Sequence, residues 1–76
     1  MNKPIDIYGM KYIIDSVLEY GYESIDDEKA NSCEFNEGRK QAYYEVLDTI
    51  YSQLDTYKQN PKDFGYSDNW KQKFLS

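Results

Sequence analysis

Residues 21–38 read GYESIDDEKANSCEFNEG and hold Glu23, Asp26, Asp27, Glu28, Glu34 and Glu37, with Glu19 just ahead and Lys29 the one base inside the stretch. Such a density of carboxylates offers three kinds of chemistry: binding a hard cation, acid–base catalysis, or imitation of a polyanion. A calcium loop of the EF-hand type takes oxygen ligands at positions 1, 3 and 5, glycine at 6 and glutamate at 12, because the chain must turn sharply around the ion. Counting from Asp26 gives Glu28 at 3 and Glu37 at 12 but Ala30 at 5 and Asn31 at 6, and counting from Glu23 puts Ile25 at 3. The spacing therefore implies no metal and no other cofactor. Carboxylate catalysis needs two acids in contrasting environments. Asp48 and Asp55 instead fall about 120–140° from Tyr43 on a helical wheel, off the apolar stripe and into solvent. The chain has no histidine, so neither a Ser/His nor a Cys/His nucleophile can be assembled around its hydroxyls or its single cysteine, Cys33. A non-enzymatic protein is expected.

What remains is recognition. Tyr8, Tyr12, Asp15 and Glu19 follow spacings of 0, 4, 7 and 11, and Tyr44, Asp48, Tyr51 and Asp55 repeat them. Each set falls on one side of a helix as a stripe of rings and carboxylates, and tyrosine is enriched where proteins meet proteins. With the acids Glu23, Asp26, Asp27 and Glu28 between them, these twelve residues are the candidate partner-binding set. For Tyr44 and Tyr51 a second reading stays open, in which the rings extend a shallow core. Arg39 projects onto the apolar side of its helix, about 40° from Tyr43. An ion pair with one of the nearby acids, over a stem lying on apolar surface, is preferred to a functional contact.

The elements that must carry these faces are helical. Ile7, Met10, Ile13, Ile14, Val17 and Leu18 recur at spacings of three and four, which predicts a first helix over about 6–20 with Asp6 as its N-cap and Gly21 as its stop. An acidic connector over 21–32 follows, in which Ser24/Asp27 and Asn31/Glu34 read as capping boxes that start helical turns. Tyr43, Val46, Leu47, Ile50, Leu54 and Tyr57, extended back to Phe35, predict a second helix over about 33–59, closed by Asn60 and Pro61. In the tail, 60–76, Ser67 or Asp68 caps a short helix over about 68–75 that sets Trp70 and Phe74 on one side. The expected fold is all-α and a single domain, 1–76: a short and a long helix as an antiparallel hairpin, with the tail packed on its open end. At 1.5 Å per residue the helices measure about 22 and 40 Å, so part of the second stripe must be covered by the tail or by a second chain.

Composition narrows the partners. The 76 residues carry a net charge of -5, and residues 15–37 hold eight acids against Lys29. A broad basic face for nucleic acid or anionic lipid is absent, and direct binding to either is not expected. No apolar run approaches the roughly 20 residues of a membrane span, and MNKPIDIYGMK has no leader core. A lone cysteine fits a reducing compartment, and the host-cell cytoplasm is the expected location.

The Asn, Lys, Tyr, Ile and Asp bias and the block NEGRKQAYYEVLDTIYSQLD resemble small acidic accessory proteins of phages and mobile elements of low-GC Gram-positive bacteria. That resemblance implies an inhibitor of host machinery, anti-CRISPR proteins among the class, and several acidic members of such a class occupy nucleic-acid sites on their targets. The expected function is a protein-binding inhibitor of a host nucleic-acid-processing defence complex, with the acidic, Tyr-rich surface as a nucleic-acid mimic. The alternative is a structural or adaptor protein that forms a homodimeric helical bundle with no inhibitory role.

Overall fold

The computed structural model describes residues 6–75. Residues 1–5, which begin the segment read as lacking a leader core, and Ser76 lie outside the described residues. The described chain is all-helical: α1 spans Ile7–Ala30, α2 spans Glu34–Thr56, a 3₁₀ turn spans Pro61–Phe64 and α3 spans Trp70–Leu75. No helix among the described residues is long and apolar enough to cross a membrane.

α1 begins where expected. Asp6 is extended and its carboxylate accepts the N–H of Gly9 at 2.8 Å, the bond of a good N-cap. It does not stop at Gly21. The helix runs on through the whole acidic stretch for 24 residues, and the reason is tertiary. Gly21 is buried where α1 crosses α2, and a Cβ there would lie 2.9 Å from Leu47 Cδ1 and 3.0 Å from Phe74 Cζ. Glycine is the residue that lets the two helices and α3 come this close; its flexibility is not used to end anything. Ser24 is not an N-cap either. It is fully buried within α1, and its hydroxyl donates back to the Gly21 carbonyl.

The separate acidic connector expected over 21–32 thus shrinks to a link at 31–33. Asn31 closes α1 instead of opening α2: its N–H donates to the Asp27 carbonyl at 2.9 Å. Asn36 Nδ2 donates to the Asn31 carbonyl at 2.8 Å and ties the link to α2. Cys33 holds the N-cap position of α2 without a side-chain bond, so Glu34 and Glu37 in the first turn supply the favourable charge there.

α2 ends at Thr56, short of the expected 59, because Lys58 turns into the left-handed region at φ 63° and Gln59 N–H reaches back to the Leu54 carbonyl at 2.8 Å. Asn60 then accepts the Lys62 N–H ahead of Pro61, and Gly65 at φ 104° ends the 3₁₀ turn. With 24 and 23 residues the two helices match, and the length mismatch read from the sequence disappears.

The core is Ile14, Leu18 and Ile25 of α1, Leu47 and Leu54 of α2, and Phe64, Tyr66, Trp70 and Phe74 of the tail. Trp70 sits amid Tyr66, Tyr51, Tyr44 and Phe74 at centroid distances of 5.1, 5.7, 5.8 and 6.1 Å, separations at which tilted and edge-on rings attract. Tyr66 is pinned further by its hydroxyl, which donates to the Leu47 carbonyl at 2.7 Å. α3 therefore lies across the middle of the helix pair, over Gly21 and Leu47, and not on its open end. The body measures 42 × 30 × 15 Å, a thickness of two helical layers. Three apolar residues expected in the second stripe, Phe35, Val46 and Tyr57, stay exposed.

Candidate partner-binding surface

The continuity of α1 decides the geometry of the candidate surface. At 100° per residue, Glu23 and Asp26 come into line with Tyr8, Tyr12, Asp15 and Glu19, and the six fall within about 80° of arc over about 27 Å. All six are exposed, Tyr8 and Tyr12 to 76% and 77%. The four acids stand four, four and three residues apart, rising by about 6, 6 and 5 Å along the axis, and none forms an ion pair among the described residues. At the tyrosine end, Tyr8, Tyr12 and Asp15 share a shallow depression with Lys62, Asp63 and Gly65. The Lys11 ammonium there lies 5.8 Å from the Tyr8 ring centroid and 5.9 Å from that of Phe64, within cation–π range.

The other expected residues do not join this stripe. Asp27 and Glu28 face α2, where Asp27 pairs with Arg39 at 2.6 Å and Glu28 approaches Lys40 at 3.8 Å. Arg39 thus takes the ion-pair arrangement read from the sequence, with its guanidinium 5.7 Å from the Tyr43 centroid. The hydrogen bond to Asp27 raises the Arg39 pKa above its ordinary value. Tyr44 and Tyr51 are half-buried against Trp70, on the core side of the choice left open for them. Asp48 between them holds Lys71 at 3.2 Å, and that bond raises the Lys71 pKa. Only Asp55 of the second set is exposed and outside any ion pair among the described residues.

No family model, curated protein or solved structure matches the chain.

The geometry itself must then carry the reading. No group of three or more metal-ligating side chains converges among the described residues. The feature the sequence reading did not locate is on the face opposite the tail. Ile7, Met10, Ile13 and Ile14 of α1 and Ile50, Leu54 and Tyr57 of α2 line an open groove of about 540 Å³, closed at one end by Phe64. The apolar periodicity marks these residues as inward. Which half of each stripe the tail would cover depended on the path of the chain after Pro61, which no local pattern records. Tyr66 was missed for a similar reason: it lies outside any helix, so periodicity gave it no face.

Proposed function

We propose that this chain is a non-enzymatic protein-binding module whose α1 stripe occupies the nucleic-acid site of a partner protein. The observation that supports it is the unbroken row Asp15, Glu19, Glu23 and Asp26, exposed and outside the ion pairs that neutralise other acids. These carboxylates cover about 17 Å of helix rise, equal to about five phosphates along one strand of B-DNA. Tyr8 and Tyr12 continue the row and supply exposed aromatic rings, the residue class that anchors protein interfaces. A cleft lined by Lys and Arg for phosphates would attract such a row from a distance, and counter-ion release would make the complex sensitive to salt.

The scaffold of this presentation is, in our reading, an antiparallel hairpin. The pairs Asp27–Arg39 and Glu28–Lys40 at one end, and the sharing of one groove by Ile7 and Tyr57 at the other, support that arrangement. The resemblance to accessory proteins of phages and mobile elements suggests the setting: inhibition, in the host cytoplasm, of a nucleic-acid-processing defence complex, as anti-CRISPR proteins act.

The test is affinity capture from a lysate of a low-GC Gram-positive host, with identification by mass spectrometry and competition by added DNA. The expected result is a nucleic-acid-binding partner that DNA displaces and that the variant Asp15→Asn, Glu19→Gln, Glu23→Gln, Asp26→Asn fails to retain. A partner held equally by that variant, or indifferent to DNA, refutes the proposal.

A further inference from the structure

We infer that the open face between α1 and α2 is a twofold interface that takes a second copy of this chain. Its walls are Ile7, Met10 and Ile13 on one side and Val46, Ile50 and Tyr57 on the other; all but the half-covered Ile50 are 42–72% exposed. Tyr66 and α3 lie against the reverse face of the helix pair, and among the described residues of the tail only Phe64 reaches this one, at the end of the groove.

Charge selects the occupant. Two chains of net charge -5 repel each other over most of their surface. Among the described residues the groove lining carries no charged side chain; its polar members are Thr49, Gln53 and Gln59. The acids Asp15, Glu19 and Asp26 lie on the far side of α1, about 140–180° around the helix from Met10. Glu45 borders the apolar surface, beside Val46 and Thr49. Two copies meeting here bring apolar surface together while their acidic rows point outward, away from each other. A basic protein drawn by those rows is guided to the other side of α1.

Area and shape agree. The exposed parts of these side chains leave on the order of 500 Å² of apolar surface per copy, the size of the largest patch on an ordinary monomer. Joining two copies removes about 1,000 Å² in all, the lower end of specific interfaces. A twofold contact needs a surface that fits itself, and this face holds both a hollow and the projecting ring of Tyr57. Two helix pairs joined in this way form a four-helix bundle with a tail on each outer face, an arrangement that gives a 76-residue chain the second half of a core.

The deciding measurement is the solution mass of the full chain by sedimentation equilibrium, from low micromolar to millimolar concentration, for the wild type, Ile13→Glu and Val46→Glu. Both variants change half-exposed positions, and far-UV circular dichroism checks that each keeps its helices. The wild type is expected to rise from 9.1 kDa toward twice that mass, with both variants held at the monomer mass. Added salt should leave the association unchanged or strengthen it, whereas the acidic-row variant should dimerise as the wild type does. A wild type that stays monomeric at millimolar concentration overturns the inference, as does a dimer that survives both variants or dissolves in salt. If a variant loses helicity, hydrogen exchange of the wild type decides. Amides of 7–17 and 46–57 must gain protection with concentration, and an unchanged pattern overturns the interface.

Discussion

Replacing Gly21 by alanine separates the two roles a glycine can play near the middle of a helical sequence. In an ordinary helix the change stabilises by about 1 kcal/mol, since alanine restricts the unfolded chain and exposes less backbone. Gly38, in the first half of α2, is such a site: a Cβ there meets nothing among the described residues within 4 Å. At Gly21 the new Cβ would stand 2.9 Å from Leu47 Cδ1 and 3.0 Å from Phe74 Cζ. Neither neighbour has room to withdraw, because Leu47 is 0% and Phe74 4% exposed. Overpacking of this kind costs about 1–3 kcal/mol. Set against the helix gain, Gly21→Ala should destabilise by about 1 kcal/mol net, a fall of about 4–8 °C in Tm for a chain of this size. Gly38→Ala should move Tm the other way by a similar amount. Thermal and urea denaturation followed at 222 nm measure both, and a double-mutant cycle locates the cause. Leu47→Ala should cost less in the Gly21→Ala background than alone, because the truncated side chain vacates the space the new methyl needs. If Gly21→Ala proves as stabilising as Gly38→Ala, the close crossing at Gly21 is wrong, and with it the path of α1 through the acidic stretch.

Three further outcomes follow from individual side chains. The Tyr22 hydroxyl is buried with no hydrogen-bond partner among the described residues, so Tyr22→Phe should stabilise by about 1 kcal/mol while keeping the ring against Phe74, as urea denaturation would report. Tyr66→Phe should cost about 1 kcal/mol at neutral pH, because the bond to the Leu47 carbonyl is lost while that carbonyl keeps its place in the α2 ladder. Burial raises the Tyr66 pKa above its ordinary value. The unfolded chain therefore releases this proton first, and the stability it confers is complete below about pH 10 and lost as pH rises beyond it. Denaturation midpoints at neutral and strongly alkaline pH should converge for wild type and Tyr66→Phe. Neutralising the pair Asp27→Asn, Glu28→Gln should leave partner capture intact, whereas neutralising Glu19, Glu23 and Asp26 should abolish it and flatten its salt dependence. The reverse result places the recognition surface at the α1–α2 link.

The candidate surface was legible in part. Spacing alone grouped Tyr8, Tyr12, Asp15 and Glu19, because a helix fixes the relative direction of residues three and four apart whatever surrounds it. The same rule assigned Tyr44, Asp48, Tyr51 and Asp55 to one side of α2, yet it is silent on whether that side meets solvent. Trp70 and Lys71, from a tail that turns back after Pro61, cover Tyr44, Tyr51 and Asp48. Glu23 and Asp26 could be added to the first row only once the helix was known to run past Gly21.

The sequence by itself determined the all-helical class, the cap at Asp6, the apolar stripes and the net charge, each set by local stereochemistry or by counting. Tertiary structure decided three things. Gly21 became a crossing point because Leu47 and Phe74 approach it from elements remote in sequence. Ser24 and Asn31 changed from helix starters to a buried side chain and a helix end, because a capping signature competes with continuation of the helix and packing chose continuation. The tail chose one face of the helix pair and left the other open, since two amphipathic helices present two apolar flanks and a tail this short can cover only one.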